Sequence, residues 1–162
     1  MDVAPTVIGA AAEGGGPMTY GTVVVGTDGS ETAQLAVRQA AELAKAFDGQ
    51  LIIVSAFSDS GGGASSDVPR EIEWSVTDAA GAEERARSGR TIAKEVGLSK
   101  VRVRVDRGDP AEVILNAADD TDADLIVVGS RGMTGAKRFV LGSVPNKVSH
   151  HTPCDLAIVH TV

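Results

Sequence analysis

A chain of 162 residues, 43% hydrophobic and 23% charged, can bury a core of its own but is too short for two ordinary domains. Aromatic side chains make up only 3%, so the core is expected to be aliphatic, and a protein that reads nucleic acid by stacking bases is not expected. The net charge of −7 lacks the basic excess that holds a duplex, the lone Cys154 cannot close an internal disulfide, and no apolar run is long enough to span a bilayer. The expected setting is the cytoplasm, with neither nucleic acid nor membrane as a partner.

Residues 1–19, ending Gly14-Gly15-Gly16-Pro17-Met18-Thr19, have no basic leader followed by a long apolar core, so they read as a disordered tail, with Met18 as an alternative start. The folded domain is expected over 20–162. Thr22-Val23-Val24-Val25-Gly26 is a β-branched run without polar alternation, as in a strand covered on both faces. Thr27-Asp28-Gly29-Ser30 follows, and then Ala33, Ala36, Val37, Ala40, Leu43, Ala44 and Phe47 recur at helical spacing. Ser30 is the expected N-cap, and Glu31 suits the positive end of the helix dipole. Asp48-Gly49 stops that helix, and Leu51 to Phe57 is the second strand.

Residues 58–70 form a low-complexity connector with Gly61-Gly62-Gly63, expected to be mobile. A charged amphipathic helix is expected from Asp78 to Val96, although Gly81 and Gly89 weaken it. Val101-Arg102-Val103-Arg104-Val105 alternates strictly, which predicts an edge strand with one buried and one wet face. Asp109-Pro110-Ala111-Glu112 announces a helix. Asp109 caps it, Pro110 has its φ preset, and Glu112 at the third position can reach back. After the acidic turn 119–124 comes a fourth strand, Leu125 to Val128, and then a loop with glycines at 129, 132, 135 and 142. Ser143 is expected to cap a last helix with Pro145 in its first turn, and Asp155 to His160 is a fifth strand.

Five strands separated by crossover-length helical patterns predict parallel pairing and a three-layer α/β sandwich. Ligands bind such sheets beyond the carboxyl ends of the strands, where the winding reverses. Two strand ends compete for that role, Gly26 to Ser30 and Gly129 onward. The second is rich in glycine, which lets backbone N–H groups approach an anion, and it leads into a helix N-terminus. Adjacent His150-His151, with Cys154 and His160, offer no tetrahedral spacing, so no metal is expected.

From Val23 to His160 the sequence resembles the universal stress protein family. Val25-Gly26-Thr27-Asp28-Gly29-Ser30 is similar to that family's first-strand signature, and Gly108-Asp109-Pro110 to its third β-α junction. Asp122-Ala123-Asp124-Leu125-Ile126-Val127-Val128-Gly129-Ser130-Arg131-Gly132, with nine residues before Gly142-Ser143, reproduces the glycine spacing of the family's ATP-binding branch. The resemblance implies a five-stranded parallel sheet in the order 3-2-1-4-5, of the adenine nucleotide alpha hydrolase-like, Rossmann-like type. Both candidate loops would then line one cleft.

The resemblance also implies roles. Asp28, beside Thr27, would accept hydrogen bonds from the ribose, and the backbone of Ala56 would meet the adenine edge. Gly129, Arg131, Gly132, Gly142, Ser143 and Val144 would hold the phosphates. The implied ligand is ATP, with Mg2+ as its counter-ion, bound by a stress-response sensor or buffer of nucleotide state that dimerises through its last strand. Cyclic AMP is the alternative ligand. No side chain in the loop is placed as a general base and no P-loop lysine is present, so at most slow ATP hydrolysis is expected. An ATP-pyrophosphatase-like adenylating enzyme would need a Ser-Gly-Gly-x-Asp-Ser loop, which Thr27-Asp28-Gly29-Ser30 does not supply. A pure interaction module is the remaining class. Asp28 could also serve only as a helix-capping turn residue.

Overall fold

The structure, a computed structural model, describes residues 19–58, 79–130 and 141–160. All but the last residue of the tail read at 1–19, most of the connector at 58–70, and the loop residues Arg131 and Gly132 lie outside the described residues. Nine elements alternate along the chain: β1 (Thr22–Gly26), α1 (Glu31–Ala46), β2 (Gln50–Phe57), α2 (Ala79–Val96), β3 (Val101–Arg107), α3 (Pro110–Asp120), β4 (Leu125–Gly129), α4 (Ser143–His151) and β5 (Asp155–Val159).

All strand pairs are parallel, and the order is β3-β2-β1-β4-β5, as the resemblance implied. The unbroken apolar runs sit in the middle of the sheet because they are covered twice. Val23, Val25, Leu51, Ile53 and Val127 pack beneath α1 and α2, while Val24, Ile52, Val54, Ile126 and Val128 pack beneath α3 and α4. Each such side chain contributes about 1.5–3 kcal/mol on burial. A one-residue slip of register would exchange the two faces, so these two aliphatic layers also fix the register.

Local chemistry sets the helix ends. Ser30 Oγ accepts from the Ala33 N–H at 3.1 Å, and Asp109 Oδ1 accepts from Ala111 and Glu112 N–H at 3.1 and 3.2 Å. After α1 the left-handed residue is Asp48, φ 53°, rather than its glycine neighbour. Gly49 serves another purpose, since a Cβ there would collide with the carbonyl oxygens of Tyr20 and Gly21. Gly89, which weakened the helical pattern, lies over Ile53, whose Cγ2 is 3.2 Å from where its Cβ would stand. Close packing of helix on sheet accounts for it.

Three expectations need correction. Ser143 is the first residue of α4 and not its cap, which is Gly142 with no side-chain hydrogen bond. Glu112 does not reach back to complete a capping box, because its Oε1 accepts from Lys147 Nζ on α4 at 3.0 Å. The alternation of β3 is also imperfect. Val103 is exposed at the sheet edge, whereas Arg104 is half-buried and bonds Asp106 and Asp120. The Asp106 hydrogen bond is the main cause of a raised Arg104 pKa, so the charge needed for this edge contact is always present.

Candidate functional site

The pairing of β1 with β4 decides where the two competing loops go. Val25 stands opposite Val127, so the turn after Gly26 and the loop after Gly129 leave the sheet side by side at its carboxyl edge. Here the chain departs from β1 toward α1 on one face and from β4 toward α4 on the other, which opens the crevice between them.

On the β4 side, Ser130 holds both ends of the glycine loop. Its N–H donates to the Val159 carbonyl at 2.8 Å, and its carbonyl accepts from the Gly142 N–H at 3.0 Å. Gly129, Gly142, Ser143 and Val144 are thereby gathered at the end of β4. Pro145, in the first turn, has no N–H, and the Asn146 N–H donates to the Gly142 carbonyl at 3.1 Å. The first-turn N–H groups of Ser143 and Val144 therefore carry the positive end of α4 without a side-chain cap.

On the β1 side the turn is tightly specified. Gly29 N–H donates to Thr27 Oγ1 at 3.1 Å, and Asp28 Oδ1 accepts from the Ser30 N–H at 2.9 Å and from its hydroxyl at 2.5 Å. Gly29 has φ 79°, which only glycine adopts without strain. Asp28 is thus a capping-turn residue in this structure. A carboxylate has two oxygens and about four lone-pair sites, so this role does not exhaust its capacity to accept from a diol.

Ala56 completes the constellation through its backbone. The Val54 carbonyl accepts from the Thr27 N–H at 2.9 Å, and with a strand period of two the Ala56 carbonyl points the same way, over the end of β1. By then the β1 chain has turned off, and the Gly29 N–H that would continue the ladder is bonded to Thr27 Oγ1. The acceptor is met instead by Arg85 Nη2 of α2, at 3.2 Å. Residue-type reasoning missed Arg85, because in Glu83-Glu84-Arg85-Ala86-Arg87 it looks like one more solvated helix charge. The available signal was its spacing of four from Gly89, which places both on the face turned to the sheet.

A shallow depression lined by Ala118, Asp119, Asp122, Ala123 and Pro153 lies at the opposite, amino end of the strands and offers carboxylates where an anion needs donors. Among the described residues no three histidine, cysteine or carboxylate side chains stand together as a metal site. Cys154 is half-buried, and burial pushes its thiol above the usual value, which disfavours the nucleophilic thiolate.

A sequence profile described as the universal stress protein family matches residues 19–160. The chain belongs to the universal stress protein family. A universal stress protein of Mycobacterium tuberculosis is 39% identical to it over 143 residues, 88% of this chain and 97% of the relative. The crystal structure of a universal stress protein in complex with cAMP is similar with a TM-score of 0.67 and 33% identity, covering 90% of this chain and all of the other. The universal stress protein from Archaeoglobus fulgidus in complex with dAMP is similar with a TM-score of 0.63 and 25% identity, covering 87% and 98%. This universal stress protein shares their fold. Among its described residues no helix is long and apolar enough to cross a membrane.

Proposed function

We propose that this universal stress protein binds an adenine nucleotide in the crevice between β1 and β4, with ATP, carried with Mg2+, as the ligand that its glycine spacing favours. The observation that carries the reading is that the N-terminus of α4 at Gly142, Ser143 and Val144, which has no side-chain cap, and the Asp28 turn follow the ends of two adjacent strands. First-turn N–H groups and the helix dipole suit phosphate oxygens, a carboxylate suits a ribose diol, and an outward carbonyl at Ala56 suits an amino group. Gly129, Arg131 and Gly132 belong to the same proposal through the sequence spacing. In this reading the protein acts by holding the nucleotide, with at most slow hydrolysis, as a sensor or buffer in the cytoplasm.

Cyclic AMP is the second reading, favoured by the likeness to a universal stress protein crystallised with that ligand. Pairing of two copies through β5, a strand at the edge of the sheet, is part of the proposal, and light scattering at micromolar concentration tests it.

Thermal unfolding with ATP, ADP, AMP and cyclic AMP, each with and without magnesium, tests the ligand. A nucleotide at a hundredfold over its dissociation constant adds about 2.7 kcal/mol, a shift on the order of 5–10 °C. The shift is expected to shrink in Asp28→Ala and in Gly132→Val. No shift with any nucleotide would sink the proposal, and a shift intact in both variants would move the site elsewhere.

A further inference from the structure

Arg85 adds a second link between the Asp28 turn and the end of β2, one step past the Thr27–Val54 hydrogen bond. Its Nη2 donates to the Ala56 carbonyl at 3.2 Å, the first acceptor of β2 that lies beyond the reach of β1. Its aliphatic stem runs under the Asp28 turn, with Cγ and Cδ each 2.7 Å from where a Cβ on Gly29 would stand. A side chain at position 29 would displace that stem, so the arginine at 85 adds to the positive φ a second reason for glycine at 29. The strand below changes character at the same place. Leu51 to Val54 are apolar and buried, but Ser55 is a buried polar residue whose Oγ has no hydrogen-bond partner among the described residues.

We propose that Arg85 is a positioning residue that makes the site selective for a 6-aminopurine, by holding the Ala56 carbonyl and the Asp28 turn in fixed relation to each other. The proposal rests on the adenine-nucleotide reading given above. A carbonyl oxygen has two lone pairs, so one can take the guanidinium while the other accepts an exocyclic amino group. A 6-oxopurine presents an acceptor to that oxygen and is repelled. Discrimination of this kind is strong only where the reading group is held still, since a carbonyl free to turn toward water loses its direction. Arginine suits the task because its planar fork is preorganised, with little freedom lost per hydrogen bond.

The experiment compares ATP with inosine triphosphate, identical except for an oxo group at position 6, by calorimetry on the wild type, Arg85→Met, Arg85→Gln and Arg85→Lys. Methionine and glutamine keep atoms against Gly29 but do not reach the Ala56 carbonyl, and lysine keeps a cationic donor. In the first two variants ATP affinity is expected to fall about tenfold and inosine triphosphate affinity less than about threefold, with lysine restoring part of the preference. Using both Met and Gln protects the test if one fails to fold, and unfolding without nucleotide identifies that case. Equal losses for both nucleotides would mean a merely structural role and overturn the proposal, as would an unchanged or increased preference. A wild type that binds neither ATP nor cyclic AMP would remove the underlying reading and this inference with it. A wild type that prefers ATP, with the preference kept in Arg85→Met and Arg85→Gln, would remove this inference alone. Should cyclic AMP bind more tightly than ATP, cyclic AMP and cyclic IMP replace the pair.

Discussion

Ile114 of α3 fills the space that a side chain on Gly26 would need. Its Cγ1 lies 3.1 Å from the ideal Cβ position at Gly26 and its Cδ1 closer still. Gly26 ends β1 immediately before Thr27 and Asp28, so this contact sets how far the Asp28 turn stands from the α3 layer. Gly26→Ala is expected to destabilise the protein by about 1–3 kcal/mol, as overpacking of a close-packed core does. Ile114→Val removes Cδ1, so the double variant should lose less than the sum of the two single losses. Urea unfolding of the four proteins measures this, and strict additivity would show that the two residues do not compete for one space.

Lys147 ties α4 to the start of α3. Its Nζ donates to Glu112 Oε1 at 3.0 Å and to Asp109 Oδ1 at 3.2 Å, the same oxygen that caps α3. Asp109→Ala removes cap and bridge together and should cost about 0.5–2 kcal/mol, whereas Asp109→Asn keeps the capping acceptor and should cost less. The hydrogen bond to Glu112 first, and that to Asp109 second, raise the Lys147 pKa above its ordinary 10.5. A raised lysine value means that the folded state holds the proton more firmly than the unfolded chain. The contribution is complete below 10.5 and disappears as pH climbs through the raised value. The difference in unfolding midpoint between wild type and Lys147→Met should therefore be constant through neutral pH and close at strongly alkaline pH. A difference that closes in the neutral range would assign it to another group.

Cys154 should react slowly. Burial raises its thiol pKa, assisted by the negative field of Asp155 and Asp124 and opposed by the Thr152 hydroxyl. Only the thiolate alkylates, so iodoacetamide at pH 8 should modify the folded protein more slowly than glutathione, with the deficit abolished in denaturant. Mass spectrometry follows the rate, and alkylation as fast as glutathione's would contradict the burial account.

The local sequence determined the elements themselves. Short β-branched runs without polar alternation suit strands covered on both faces, and Ser30 and Asp109 mark helix starts because a side-chain oxygen meets orphan N–H groups. Where a better partner lay far away in sequence, such local inference failed. Glu112 turned to Lys147 rather than back to its own helix, and Arg104 left the wet side of β3 for Asp120. The spacing from Gly129 to Gly142-Ser143, with the resemblance it carries, placed Thr27, Asp28, Ala56, Gly129, Gly142, Ser143 and Val144 in one proposed site. Their common location at the ends of β1, β2 and β4 depends on strand order, which no short-range pattern encodes. The role of Arg85 emerges only in three dimensions. Its spacing of four from Gly89 could place it on the sheet-facing side of α2, but not its partner, which it meets only because β1 turns away and leaves the Ala56 carbonyl without a ladder donor.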